Sequence, residues 1–213
     1  MERAEKIELT RINFLRLSFL GAMERLEQEI LKKGKVLPGG VLKVGSFLNQ
    51  QMDVKLLSDM AKSVYERFSD KGITKVLTVE ASGIAFAVLV AEKFGVDAVF
   101  AKKSKTANVD GGVYSADCYS YTHKKSNVLI VPEDYVNGED KVLIVDDFLA
   151  NGEAIRALQK IVNDAGATLS GAAICVEKGF QGGGDALRKE GLDLYSLAIV
   201  DKMSEDGIEF RKA

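Results

Sequence analysis

Apolar positions change their spacing in a regular order along the chain. From Met23 to Lys33 they recur at helical spacing, and Gly34 supplies a stop. Val41 to Val44 forms a short extended piece. From about Val54 to Ser69, Leu56, Leu57, Met60, Ala61, Val64, Tyr65 and Phe68 share one face of a helix, with Asp53 placed to cap it and Gly72 to end it. Lys75 to Val79 is an apolar strand, Gly83 to Phe94 a helix and Ala98 to Ala101 a second strand. This strand, helix, strand rhythm predicts an α/β fold with a mainly parallel sheet. Lys103 to Ala116 mixes Lys, Ser, Thr, Asn, Asp and Gly with little periodicity and is expected to be a mobile loop, a kind of segment that commonly serves function. Cys118 to Thr122 and Asn127 to Ile130 read as an antiparallel pair. A strand at 142–145, a helix at about 152–165, a strand at 171–176 and a short helix at 183–190 follow. Tyr195 to Val200 and Ile208 to Phe210 are expected as edge strands, with no internal repeat and no linker.

Composition narrows the function classes. A chain of 213 residues holds one sizeable α/β core and leaves two full domains cramped. A net charge of −2 argues against broad nucleic-acid binding, which needs a concentrated basic footprint. Cys118 and Cys175 are too few for a disulfide framework and fit a reducing cytosol, with Cys175 read as a core thiol. No apolar run reaches the roughly 18 residues of a membrane span. Ile12 to Ala22 is apolar with Arg16 inside it, so a signal peptide is one reading. The preferred reading divides the chain into an N-terminal extension, 1–22, and a single domain, 23–213, that starts afresh at Met23.

Candidate chemistry concentrates in KVLIVDDFLANGEA, Lys141 to Ala154. A buried strand leads to Asp146 and Asp147, at the strand end where open α/β sheets bind ligands. Phe148 to Gly152 are expected to turn. Ala154, Ile155, Ala157, Leu158, Ile161 and Val162 then line one helix face. The amides of Ala150, Asn151, Gly152, Glu153 and Ala154 would sit at a helix N-terminus, which favours an anion, so the whole can hold a phosphorylated sugar. An acidic pair capping an ordinary turn is the plainer alternative. Glu80, Ala81, Ser82 and Gly83 also join a strand to a helix and offer a second anion site, or simply a Ser-capped helix. Lys102, Lys103 and Lys105 cluster after the second strand, as a solvated surface or as an anion contact. His123, the sole histidine, reads as exposed, and metal-ligand spacing of His and Cys is absent.

These segments resemble the phosphoribosyl-pyrophosphate (PRPP) motif of type I phosphoribosyltransferases. SFLNQQ (Ser46 to Gln51), EASGIA (Glu80 to Ala85), DDFLANGEA and VEKGF (Val176 to Phe180) together are similar to the bacterial xanthine-using branch, over about residues 23–210. Two departures stand out: Phe86 where a proline is expected, and Glu153 where glutamine is usual. The resemblance implies a central, mainly parallel sheet flanked by helices, with a small hood built from the terminal segments. It implies Asp146 and Asp147 on the ribose hydroxyls and Ala150 to Ala154 on the 5′-phosphate. It also implies a pyrophosphate loop at Ala81, Ser82 and Gly83, whose Ala81–Ser82 peptide can be strained or cis. Lys103 would reach pyrophosphate, often in a neighbouring subunit, and Leu42, Asn49 and Lys178 would contact xanthine. Phe148 and Phe180 are stacking candidates.

The implied activity is transfer of the phosphoribosyl group of PRPP to N9 of xanthine, in purine salvage in the cytoplasm. Mg2+ would be bound mainly through PRPP, and a homodimer is expected, with no nucleic-acid or membrane partner. Guanine or hypoxanthine could replace xanthine, since all three carry the 6-oxo group that Lys178 reads. A non-catalytic PRPP-sensing regulator is the rival from another class, disfavoured by the roughly 40 residues before Val41, which leave little room for a DNA-binding module.

Overall fold

A computed structural model describes residues 21–103, 111–120, 125–204 and 207–212. Helix α1 (21–33) ends where Gly34 N–H returns to the Ile30 carbonyl at 2.8 Å. It already includes Ala22, which is buried, so the division drawn before Met23 falls inside a helix; residues 1–20 lie outside the described residues. A hairpin follows, β1 (Lys35–Leu37) against β2 (Val41–Lys43), turned by Pro38, Gly39 and Gly40. Both glycines have left-handed φ, 81° and 73°, which side chains rarely accept. A five-residue π-helical turn, Gly45–Asn49, leads to α2 (Val54–Phe68), whose first turn Asp53 caps through Leu56 N–H at 3.0 Å. A cap of this kind contributes about 1 kcal/mol.

The core strands are β3 (Lys75–Val79), followed by α3 (Ile84–Phe94), and β4 (Asp97–Ala101). A long antiparallel hairpin comes next, β5 (Val113–Ser120) with β6 (Lys125–Pro132). Then come β7 (Lys141–Leu149), α4 (Glu153–Asp164), β8 (Thr168–Lys178), α5 (Gly183–Lys189), β9 (Leu194–Ser204) and β10 (Gly207–Phe210). The main sheet has the order β10-β9-β8-β7-β3-β4, with every pairing parallel except that of β10. Alternation along the buried strands sorts side chains to two sides. Leu143, Val145, Ala173 and Cys175 face the cluster with α1, α2 and α3, whereas Val142, Ile144, Ala172 and Ile174 face the cluster with α4 and the β5–β6 hairpin.

Four expectations need correction. The loop placed at 103–116 ends sooner, because β5 begins at Val113; there, inter-strand bonds to Pro132 and Val131 outweigh weak local propensity. Residues 104–110 and His123 lie outside the described residues. Tyr195 to Val200 is no edge: β9 is an interior strand, parallel to β8 and buried over most of Leu194 to Val200, and only β10 closes that side. Phe148 belongs to β7, which runs on to Leu149, so the turn begins at Ala150. The cis peptide is Glu80–Ala81, one bond before the one expected. Phe86, the first departure, is core: it is 2% exposed and packs with α2 and the sheet.

Candidate active site

The C-terminal ends of β3 and β7 lie side by side because the two strands pair in parallel, and there the chain opens into a cleft of about 890 Å³. Asp146 and Asp147 are 5% and 6% exposed, a costly place for two carboxylates unless each is bonded. Asp146 Oδ1 accepts the Asp147 N–H at 2.9 Å. Asp147 is held from two directions, by Asn49 Nδ2 on Oδ2 at 2.8 Å and by Ser82 Oγ on Oδ1 at 2.9 Å. Burial, and then the neighbouring Asp147 carboxylate, push the Asp146 carboxyl well above the usual carboxylate range. A cation brought near this pair, or hydroxyls donated to it, would relieve that cost.

Beyond β7, Ala150, Asn151 and Gly152 turn the chain into α4, and all three line the cleft with Glu153 and Ala154. Gly152 has φ 89°, so glycine is needed for the turn that aims the first α4 amides at the cleft. A side chain there would also press on Leu187. Ser82 and Glu80 enter from the end of β3; the Glu80 carboxylate accepts the Lys103 N–H at 2.6 Å, fixing one strand end to the next. No side chain caps α3, whose N-cap is Gly83, so the Ser-capped reading fails and Ser82 is spent on Asp147.

The opposite wall comes from distant segments. Lys178, at the end of β8, donates from Nζ to the Gly40 carbonyl at 3.0 Å and stands 5.8 Å from the centre of the Phe148 ring. Burial lowers its pKa below the usual lysine range. Pro38, Gly39, Gly40 and Val41 line the cleft from the hairpin turn, and Cys118, Tyr119, Asn127 and Leu129 line it from the β5–β6 hairpin. Burial raises the Cys118 thiol, and Cys175 is raised further inside the core, so neither is an activated nucleophile.

Two anion-suited strand-to-helix turns flanking a buried acidic pair form a constellation for phosphorylated sugars, and known proteins agree. Residues 43–194 match the family described as phosphoribosyl transferase domain. The chain belongs to the phosphoribosyltransferase family. It is 52% identical over 192 residues to the xanthine phosphoribosyltransferase of Bifidobacterium adolescentis, covering 89% of this chain and 100% of that protein. Over 188 residues it is 48% identical to the enzyme of that name from Ruminiclostridium cellulolyticum, covering 88% and 99%. Solved structures share the fold: adenine phosphoribosyltransferase of Giardia lamblia superimposes with a TM-score of 0.70 at 22% identity, covering 81% of this chain and 96% of that one. The Trypanosoma brucei enzyme reaches 0.71 at 18% identity, covering 85% and 82%.

Within this phosphoribosyltransferase domain most of the expected site residues converge. Asp146, Asp147, Lys103, Ser82, Lys178 and the loop Ala150–Ala154 all line the cleft, and Asn49 reaches it through Asp147. Ala81 and Gly83 do not line it but frame Ser82. Leu42 is turned away, buried in the core with Val44 and Phe47, and its neighbours Gly40 and Val41 face the cleft instead. Phe148 lines the cleft, whereas Phe180 is exposed and lies against Gly40, where an added side-chain carbon would meet its ring at 3.7 Å. Lys105 lies outside the described residues. Sequence reasoning missed Tyr119, Asn127 and Gln181, as well as the Pro38–Gly40 turn. Only that turn carried a signal, the PGG between two apolar stretches.

Proposed function

We propose that this chain is a xanthine phosphoribosyltransferase, transferring the 5-phosphoribosyl group of PRPP to N9 of xanthine to give xanthosine 5′-monophosphate and pyrophosphate. The observation that carries the reading is one carboxylate, Asp147, tied on one oxygen to Asn49 on the base side and on the other to Ser82 in the first phosphate loop. The 5′-phosphate is received by the amides of Ala150, Asn151, Gly152, Glu153 and Ala154, and pyrophosphate by the loop Ala81, Ser82 and Gly83, with Lys103 beside it. Asp146 and Asp147 accept the ribose hydroxyls and oppose positive charge as it develops at C1′. Lys178 donates to O6 of the base, and Asn49, keeping an amide oxygen and a second N–H, reads the edge near O2, beside the segment of Leu42. The xanthine-named relatives favour xanthine among the 6-oxopurines.

The described residues contain no group of three His, Cys, Asp or Glu that could hold a metal. A buried acidic pair whose members already bond to the protein fits a Mg2+ carried by PRPP oxygens and water, with few protein ligands. When bound, that ion neutralises charge on the departing pyrophosphate. The protein contributes alignment of the base against C1′ and fixed dipoles around it. No helix among the described residues is long and apolar enough to cross a membrane. A cytoplasmic homodimer acting in purine salvage completes the reading.

Substrate profiling tests it. kcat/KM with PRPP should rank xanthine above guanine and hypoxanthine, with adenine far below; an adenine preference would contradict the assignment of Lys178 outright. Turnover should vanish in a folded Asp146→Ala, Asp147→Ala double variant.

A further inference from the structure

Thr78 stands in β3 among Val76, Leu77 and Val79, where an apolar β-branched residue would pack equally well. It is 1% exposed, and among the described residues its Oγ1 has no hydrogen-bond partner. Burying a hydroxyl without a partner costs stability, so an orphan of this kind needs a reason. The reason lies across Gly83. A side-chain carbon built at that glycine would come within 2.8 Å of Asp146 Oδ1 and closer still to Thr78 Oγ1. Hydroxyl and carboxylate therefore share the space that the missing side chain leaves. Among the described residues Asp146 Oδ1 has one protein donor, the Asp147 N–H, although its carboxylate is buried. The Thr78 hydroxyl, without a partner among the described residues, borders the same space and can donate.

We propose that Thr78 is a positioning residue for the transfer, a stored donor that bonds Asp146 Oδ1 when the phosphoribosyl group draws that carboxylate into its working orientation. The inference rests on the phosphoribosyl reading of the cleft. Thr78 touches no substrate; it acts through Asp146. Gly83 is glycine so that the two oxygens can meet, which makes the start of α3 part of the same arrangement. Because a hydrogen bond to a charged acceptor is stronger than one between neutral groups, one added donor can noticeably favour the ionised, correctly turned carboxylate.

The test is a cycle of PRPP dissociation constants and steady-state kinetics in the full chain. Thr78→Val keeps shape and burial and deletes the donor; Thr78→Ser keeps the donor and loses a methyl. Thr78→Val is expected to lower kcat about tenfold and weaken PRPP binding about as much, with KM for xanthine unchanged and Tm equal or higher. Thr78→Ser should recover most of kcat despite a lower Tm. In an Asp146→Asn background the effect of Thr78→Val on PRPP binding should disappear. A Thr78→Val enzyme with unchanged kcat and PRPP affinity, or one whose loss is the same with Asn at 146, overturns the role. Wild-type protein that does not bind PRPP refutes the phosphoribosyl reading itself, before any variant is compared.

Discussion

The two walls of the cleft are built by opposite strategies. The wall proposed for the sugar phosphate is local: β7, the turn at Ala150–Gly152 and the first turn of α4 are consecutive in sequence, seated on a buried parallel sheet. The base wall is assembled across the chain, from a three-residue turn at Pro38–Gly40, the π-helical turn ending at Asn49, and Lys178. Its bonds cross large separations: the Lys178 to Gly40 contact spans 138 positions and the Asn49 to Asp147 contact 98. A local wall is fixed by secondary structure itself, whereas an assembled wall depends on a few long-range bonds. On the proposed reading, binding of the common half of the reaction and choice of the base are thereby separated, and Asp147, bonded to both Asn49 and Ser82, is where they would join.

Breaking that junction should have the largest effect. Asp147→Ala leaves Asn49 and Ser82 without their acceptor, so kcat/KM should fall on the order of 10²- to 10³-fold, with PRPP and xanthine both bound more weakly. If only PRPP affinity drops in titration calorimetry, the two walls are independent and the comparison fails. Next comes Lys178→Gln, confined to the base wall. kcat/KM for xanthine should fall about 10- to 100-fold while PRPP affinity stays within about twofold. Burial lowers the lysine pKa, and the donor needed is the protonated amine, so base binding should be lost as pH rises through that lowered value. A pH profile of the glutamine variant should lack this basic limb. Smallest is Glu153→Gln, confined to the phosphate wall. Glu153 is half-buried at the N-terminus of α4, lines the cleft and makes no ion pair among the described residues. A carboxylate there favours the helix dipole but repels a phosphate. Removing its charge should lower KM for PRPP about two- to fivefold, with base preference untouched. A weaker PRPP affinity in that variant would mean that Glu153 faces a cation instead.

What could be read from the chain follows the same division. The strand, the acidic pair and the start of the next helix lie within fourteen residues, and a buried strand followed by an amphipathic helix is a short-range pattern. The strand runs four residues past Val145, to Leu149, and the turn starts two residues later than read, at Ala150. The order of elements was legible for the same reason. Leu42 shows where local reading ends: its alternation in β2 sends its side chain to the core and leaves Gly40 and Val41 to face the cleft. No local signal told Tyr119, Asn127 or Gln181 apart from ordinary surface residues, because their place in the cleft comes from how their segments dock.

By itself, then, the sequence determined an α/β sheet with an acidic pair and a strand-to-helix turn at the end of one strand, since helix and strand periods and a glycine-containing turn act over a few residues. The tertiary structure decided the rest. It made β9 interior rather than an edge, gave Asp147 its two partners, brought Lys178 to Gly40 and set the Thr78 hydroxyl opposite Asp146. Each of these depends on which distant strands pair and which side chains burial forces together, and no run of neighbouring residues encodes that.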